Sequence, residues 1–260
     1  MSDITELLRQ TLKEAGAVLH EGFLSRETVY ERKGAVDLVT KWDMQSEQVI
    51  RERILKHFPS HALYGEEGGG VFTREGYLWV MDPLDGTTNF VHKHPYYCVS
   101  IACCKDGEPI AGGVYAPESN ELFLAERGGG AYCNDEKIRV SEVDQLSDAL
   151  FVTGYPYKRE GKIEKLQTLL ANALRSVQCI RRMGSAALDL CHVASGMFDV
   201  YIEFELRPWD IAAGGLILQE AGGRLSLCDG GDFRFEKGQV FATNGRVHAA
   251  AFEQLMAGVV

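Results

Sequence analysis

In the stretch WVMDPLDGTTNF, residues 79–90, two carboxylates stand three residues apart at the end of a run that reads as buried strand. Trp79, Val80 and Met81 are apolar, Asp82 follows them directly, and Pro83 removes a backbone donor before Asp85-Gly86 turns the chain. Asp-Pro and Asp-Gly are ordinary turn dipeptides, so alone the stretch reads as a turn. Three other acidic spots share its oddity. Glu66-Glu67 follows the short apolar piece Leu63-Tyr64 and precedes three glycines, Asp43 stands just before a predicted helix, and Asp210 opens a nearly all-apolar one. Taken singly, Asp43 and Asp210 read as helix N-caps and Glu66-Glu67 as a solvated loop pair. Gathered at one place they read differently. Clustered carboxylates raise one another's pKa unless cations neutralise them, and oxygen donors without Cys or His select hard ions such as Mg²⁺. Two such ions about 3.5–4 Å apart are a recurrent device for hydrolysing phosphate esters. Residues 86–90 read as a helix start whose amides can meet a phosphate, with the Thr87 hydroxyl beside them. Pro83 then stiffens the turn and leaves the Leu84 carbonyl as one more hard ligand.

The elements that must deliver these groups follow from periodicity. Ile4, Leu7, Leu8, Leu12, Ala15, Val18 and Leu19 predict an amphipathic helix over residues 3–22, and a second is expected from about 45 to 58, ending before Pro59. Residues 77–140 alternate short strands with turn signals at 105–107, 117–120 and 134–135, which favours antiparallel neighbours. Beyond Leu150 the rhythm changes. Helices at 162–176, 184–195, 209–221 and 246–256 alternate with strands at 177–180 and 198–204. The halves, about 1–150 and 151–260, read as two lobes of one unit over residues 1–260, each a sheet covered by helices.

Composition limits the partners. A net charge of −10 argues against nucleic acid as a ligand, because phosphate backbones need a basic footprint. It leaves room for a small phosphorylated molecule approaching through cations. The seven cysteines form no C-x-x-C pair, which argues against zinc and suits a reducing compartment. No stretch approaches the ~20 apolar residues of a membrane span and none reads as a signal peptide, so the expectation is a soluble cytoplasmic protein. His92 and His94 are expected on the surface.

As a set, GEE (65–67), DPLDGTTNF (82–90), PWDIAAGGLILQEAGG (208–223), VDLVTKWD (36–43) and ATNGR (242–246) resemble the inositol monophosphatase family in order and spacing, over nearly the whole chain. The resemblance implies an α+β fold, a layered αβαβα sandwich of the sugar-phosphatase type, usually as a homodimer. It implies a phosphatase for inositol monophosphate, using two to three Mg²⁺ ions and sensitive to Li⁺. Glu66, Asp82 and the Leu84 carbonyl match the ligands of the first ion, and Asp82, Asp85 and Asp210 those of the second. A third ion would reach Glu66 through waters, with Glu67 supporting from behind. Asp43 and Thr87 match the pair that activates water. On the substrate side, Asp85, Gly86, Thr87 and Asp210 join Gly184, Ser185 and Ala186, with Glu203 matching the position that binds the polyol. Arg181 is either a cation near the phosphate or a surface residue. Relatives with the same core hydrolyse fructose 1,6-bisphosphate, histidinol phosphate or nucleotide 3′,5′-bisphosphates. Thr88-Asn89 after DGT departs from the Lys-Glu of the nucleotide branch, while the loop at 154–162 matches nothing diagnostic. A regulatory binding protein on the same fold is the remaining alternative.

Overall fold

A computed structural model of the chain describes residues 2–25, 30–32, 38–156 and 160–260. Val36 and Asp37 of the VDLVTKWD segment, and residues 157–159 of the 154–162 loop, lie outside the described residues.

Helix α1 (Asp3–Leu24) buries Leu7, Leu8, Leu12, Ala15 and Leu19, the stripe its spacing predicts. A ribbon of β1 (Tyr30–Arg32) and β2 (Leu38–Thr40) leads into α2 (Lys41–His57). This helix starts at Lys41, ahead of the expected 45. Thr40 is the cap, its hydroxyl accepting from the Trp42 amide at 3.1 Å, so Asp43 lies inside the first turn and is not the N-cap.

Strand β3 (Ala62–Gly65), short β4 (Gly69–Gly70) and the long β5 (Tyr77–Asp85) come next, followed by the one-turn helix α3 (Thr87–Val91). Strands β6 (Cys98–Lys105), β7 (Glu108–Ala116), β8 (Glu121–Glu126), β9 (Gly130–Cys133) and β10 (Glu136–Lys137) then form the antiparallel meander that the turn signals predict. Asp106 and Gly107 at φ 50° and 84° supply the left-handed pair that a two-residue hairpin requires.

The second half runs β11 (Leu150–Thr153), α4 (Ile163–Ser176), β12 (Cys179–Arg181), α5 (Ala186–Ala194), β13 (Val200–Phe204), α6 (Pro208–Glu220), β14 (Arg224–Ser226), β15 (Gln239–Thr243) and α7 (His248–Leu255). Asp210 thus occupies the first turn of α6, two residues inside Pro208, and is not its N-cap.

The larger sheet has eight strands in the order β10-β9-β8-β7-β6-β5-β3-β4, the smaller five in the order β12-β11-β13-β15-β14. Helices α1 and α2 cover the outer face of the first sheet, burying Leu8, Leu12, Ile50 and Ile54 against Trp79, Met81 and Ile101. Helices α5 and α6 lie between the sheets, against Leu78, Val80 and Ala102 on one side and Tyr201 and Val240 on the other. Helices α4 and α7 close the far face over Phe151, Val200, Ile202 and Phe241. The result is an α+β, five-layer αβαβα sandwich. The two halves do not each carry a private helical cover, because the middle layer serves both sheets. That position explains the apolar girth of α6, whose residues from Ile211 to Leu218 are all buried. Among the described residues no helix is long and apolar enough to cross a membrane.

One buried group reports on the five-stranded layer. His248 is 5% exposed, with its Nδ1 3.0 Å from the Thr243 hydroxyl and its ring edge-on to Phe241. Burial, helped by the Arg224 charge, pushes its pKa down to about 4. A folded pKa below the ordinary ~6.5 means full stability above that value, lost as pH falls from there toward 4. His248→Asn keeps a polar atom near Thr243 but cannot titrate. Urea midpoints at pH 7 and pH 5 should therefore differ less in the variant, by about 1–2 kcal/mol of unfolding free energy. Identical pH dependence in both proteins would contradict this assignment.

Candidate active site

The two carboxylates of DPLD are brought to one side by a break in the ladder. On β6, Ser100 faces Asp82 and Cys98 faces Asp85, so three steps on β5 are matched by two on its neighbour. In a regular strand, residues three apart point to opposite faces; the one-residue bulge cancels that offset. Pro83 sits in the bulge, where no ladder donor is needed. The expected turn is thus a bulged continuation of the strand, and the turn comes at Gly86, whose φ of 95° suits glycine. Asp82 is buried, and its Oδ1 accepts from the Leu84 amide at 2.9 Å. The Asp85 Oδ2 accepts from the Ser185 hydroxyl at 2.7 Å and the Ala187 amide at 2.8 Å.

Thr87 and Asp43 meet at the same end of β5. The Thr87 Oγ1 lies 3.0 Å from the Leu84 carbonyl and 3.4 Å from the Asp43 Oδ1. The other Asp43 oxygen accepts from the Thr40 amide at 2.9 Å and hydroxyl at 2.6 Å. Burial pushes the Asp43 pKa up to about 6 against those hydrogen bonds, leaving a carboxylate able to take a proton near neutrality.

Glu66 arrives from the neighbouring strand. β3 runs parallel to β5 with Gly65 opposite Met81, and the Glu66 amide donates to the Met81 carbonyl at 3.3 Å. Glu66 therefore emerges beside Asp82. The turn carrying it is held by Glu47 of α2, a residue the sequence reading passed over. Glu47 accepts from the amides of Glu67 and Gly68, both at 2.8 Å, and from Arg51 Nε at 2.6 Å, while Arg51 Nη2 donates to the Gly69 carbonyl at 2.8 Å. Its carboxylate lies so close that a Cβ on Gly65 would come within 2.7 Å of it. The i,i+4 spacing of Glu47 and Arg51 was the available signal, though helical pairs of that kind usually sit on the surface.

Asp210 completes the group, its Oδ2 accepting from the Arg207 amide at 2.6 Å. Burial drives the Asp82 pKa well above the carboxylate range, and the charges of Glu66, Asp85 and Asp210 drive it further. Asp210 is raised in the same way, by burial first and then by Asp85. Burial also raises Asp85, against the hydrogen bonds from Ser185 and the α5 amides. The described hydrogen bonds fall on one oxygen of each of Asp82, Asp85 and Asp210. Among the described residues, no group of three or more His, Cys, Asp or Glu side chains stands close enough together to hold a metal ion as it is arranged here. Acids gathered in this way either keep protons or share a cation that neutralises them. The donor chemistry fits a hard divalent ion: oxygen only, with the Leu84 carbonyl alongside.

The alcohol side is less uniform. Ser185 caps α5 and is committed to Asp85, so its hydroxyl supports the acid. Gly184 and Ala186 flank it, and Asn89 Nδ2 ties α3 to this segment through the carbonyls of Tyr96 at 2.7 Å and Met183 at 2.9 Å. Glu203 is half-buried, accepts from the Tyr201 hydroxyl at 2.6 Å, and is pushed up to about 7 by burial. Gly154 leaves space for it, since a Cβ there would lie 2.0 Å from the carboxylate. Arg181 is exposed, with Nη1 on the Cys179 sulfur at 2.8 Å and the Ile180 carbonyl at 3.0 Å. The next residue, Arg182, is the cation whose field reaches Asp85, Asp189 and Glu203. Asp189 is buried on α5 and accepts from the Tyr96 hydroxyl at 2.7 Å. It was legible by the same sign as Asp210, one acid in an apolar helix. His92 and His94 are exposed, as expected.

A model of the inositol monophosphatase family matches residues 1–259. Inositol-1-monophosphatase of Rhizobium meliloti (strain 1021) is 39% identical over 254 residues, covering 97% of this chain and 96% of the relative. A putative Nus factor SuhB of Neisseria meningitidis serogroup A is 42% identical over 231 residues, 88% of each chain. Among solved structures, inositol monophosphatase from Anabaena (Nostoc) sp. PCC 7120 superposes with a TM-score of 0.89 at 38% identity, covering 98% of this chain and 95% of the other.

Glu47→Gln leaves one acceptor where three donors converge. Loosening the turn that carries Glu66 should weaken divalent-cation binding about 10-fold or more, the usual loss when an outer partner of a metal site is removed. Calorimetric titration with Mg²⁺ measures it, and wild-type affinity in the variant would show that the turn holds itself.

Proposed function

The chain belongs to the inositol monophosphatase family, and from that premise we propose that it is a Mg²⁺-dependent phosphomonoesterase releasing phosphate from inositol monophosphate. The family is generally metal-dependent, and a phosphatase of this family implies a small phosphorylated substrate. The observation that carries the reading is the convergence of Glu66, Asp85 and Asp210 on the buried Asp82, whose ionisation their charges oppose.

In this reading those four carboxylates and the Leu84 carbonyl would hold the two to three ions. When bound, the ions neutralise the acids, polarise the phosphoryl oxygens and lower the pKa of water. The remaining work falls to side chains of this chain. Asp43, raised to about 6, accepts the proton of the attacking water, and Thr87 orients that water from its position between Asp43 and the Leu84 carbonyl. The amides from Gly86 onward face the phosphate. Glu203 recognises the polyol by accepting hydroxyl hydrogen bonds, and the α5 start at Ser185–Ala187 fixes Asp85. The protein is proposed to act in the cytoplasm as a homodimer and to be inhibited by Li⁺.

A second reading rests on the relative named as a putative Nus factor: a partner-binding role beside catalysis. An Asp82→Asn protein would separate the two, since it removes chemistry and leaves the surface.

Activity should vanish in chelator and return with Mg²⁺, while Ca²⁺, with longer and looser bonds, should not restore it. Asp82→Asn should lower kcat by about 10²-fold or more while the fold survives, because four repelling acids add little stability without ions. Near-normal turnover in either test would remove the metal reading.

Glu203→Gln should lose about 1.5–3 kcal/mol in kcat/KM on inositol 1-phosphate, the worth of a hydrogen bond to a charged group. On a small aryl phosphate without ring hydroxyls it should lose little. Equal losses on both substrates would reassign Glu203 to supporting the acids.

A further inference from the structure

We infer that a small cavity at the C-terminal end of α6 is a second, separate anion site that takes the phosphate group of a small ligand. It lies away from the carboxylates. Gln219, in its lining, is about 14 Å along the helix from Asp210 at 1.5 Å per residue. Three arginines line it, Arg74, Arg127 and Arg234, together with the acids Glu108 and Glu236. In a chain of net charge −10 this is a local excess of cation.

Two of the arginines are held in place. Arg127 donates from Nε to the Pro109 carbonyl at 2.9 Å and from Nη2 to Glu108 at 3.1 Å. Arg74 pairs with Glu236, and its stem lies over Gly107, where a Cβ would come within 3.2 Å of Arg74 Cγ. Arg234 is exposed and forms no ion pair among the described residues. A cluster of exposed arginines is ordinarily a solvated surface. Here the three bound one cavity, and the acids present match only two of them.

Size and charge decide the ligand. The cavity holds about 60 Å³, more than the ~10–15 Å³ that one water needs, which leaves room for an oxyanion head. Guanidinium forks match phosphate oxygens two at a time. Glu108 is 68% exposed, and an exposed ion pair contributes little, so a phosphate can take its place on Arg127 with small loss. Arg234 then supplies the unmatched charge.

Inorganic phosphate, titrated calorimetrically into protein freed of divalent cations and desalted, is the probe. Without cations the carboxylate centre lacks the charge that would hold phosphate, and the arginine and Asp82 variants separate binding there from binding in the arginine cavity. Wild type and Asp82→Asn should bind equally, and Arg127→Gln/Arg234→Gln should bind at least ten-fold more weakly. If the Arg127 change lowers the melting temperature, Arg234→Gln alone should still weaken binding several-fold. The inference is overturned by no saturable binding in wild type, by equal heats from chloride, by undiminished binding in the arginine variants, or by loss of binding in Asp82→Asn.

Discussion

Like charges at close quarters are the constraint on which this architecture turns. Burial and three neighbouring acids all act against ionising Asp82. A chain that places carboxylates there must hold them by covalent geometry and backbone hydrogen bonds, since their own interaction pushes them apart. The holding devices are rigid and come from four elements. β5 contributes a bulge that turns two carboxylates to one side. β3 is fixed to it in parallel register, α5 presents its N-terminal amides to Asp85, and α6 presents its first turn.

These devices work because the layers around them leave little freedom. α5 and α6 are buried between two sheets, so the amide at Ala187 and the carboxylate of Asp210 are positioned by packing rather than by a mobile loop. α2 approaches from the opposite layer and carries both Asp43 and Glu47. One helix therefore sets the candidate base and clamps the turn bearing Glu66. Sites built on packed helices and strands keep their geometry better than sites on loops. Acids that repel one another in the bare protein are also a store of affinity, because a cation relieves the repulsion as it binds.

Much of this was legible in the sequence. The apolar stripe from Leu7 to Leu19, the hairpin signals at 105–107 and 134–135 and the apolar helix after Asp210 all gave elements close to those observed. Site acids were visible because each was a charge at the edge of an apolar run. What escaped was information that depends on pairing. The bulge at Pro83 exists only relative to β6, and the same letters read as a turn. Asp43 and Asp210 read as caps, whereas Thr40 and Arg207 precede them and the acids fold back onto those amides. Glu47 was passed over, because its role depends on the turn after β3 lying beside α2. Gly154 carried no signal at all, since its meaning is the space it leaves for Glu203. Arg181 read equally as a cation near the phosphate or a surface residue, and it lies on the edge strand β12 with its guanidinium on the Ile180 carbonyl of its own strand.

The most direct test is an anomalous-diffraction map from crystals of this protein equilibrated with Mn²⁺, an oxygen-preferring stand-in for Mg²⁺. The account predicts two strong peaks about 3.5–4 Å apart. Asp82 should touch both, the Leu84 carbonyl and Glu66 one, and Asp85 and Asp210 the other. Peaks elsewhere on the protein, or none among these carboxylates at saturating Mn²⁺, would contradict it.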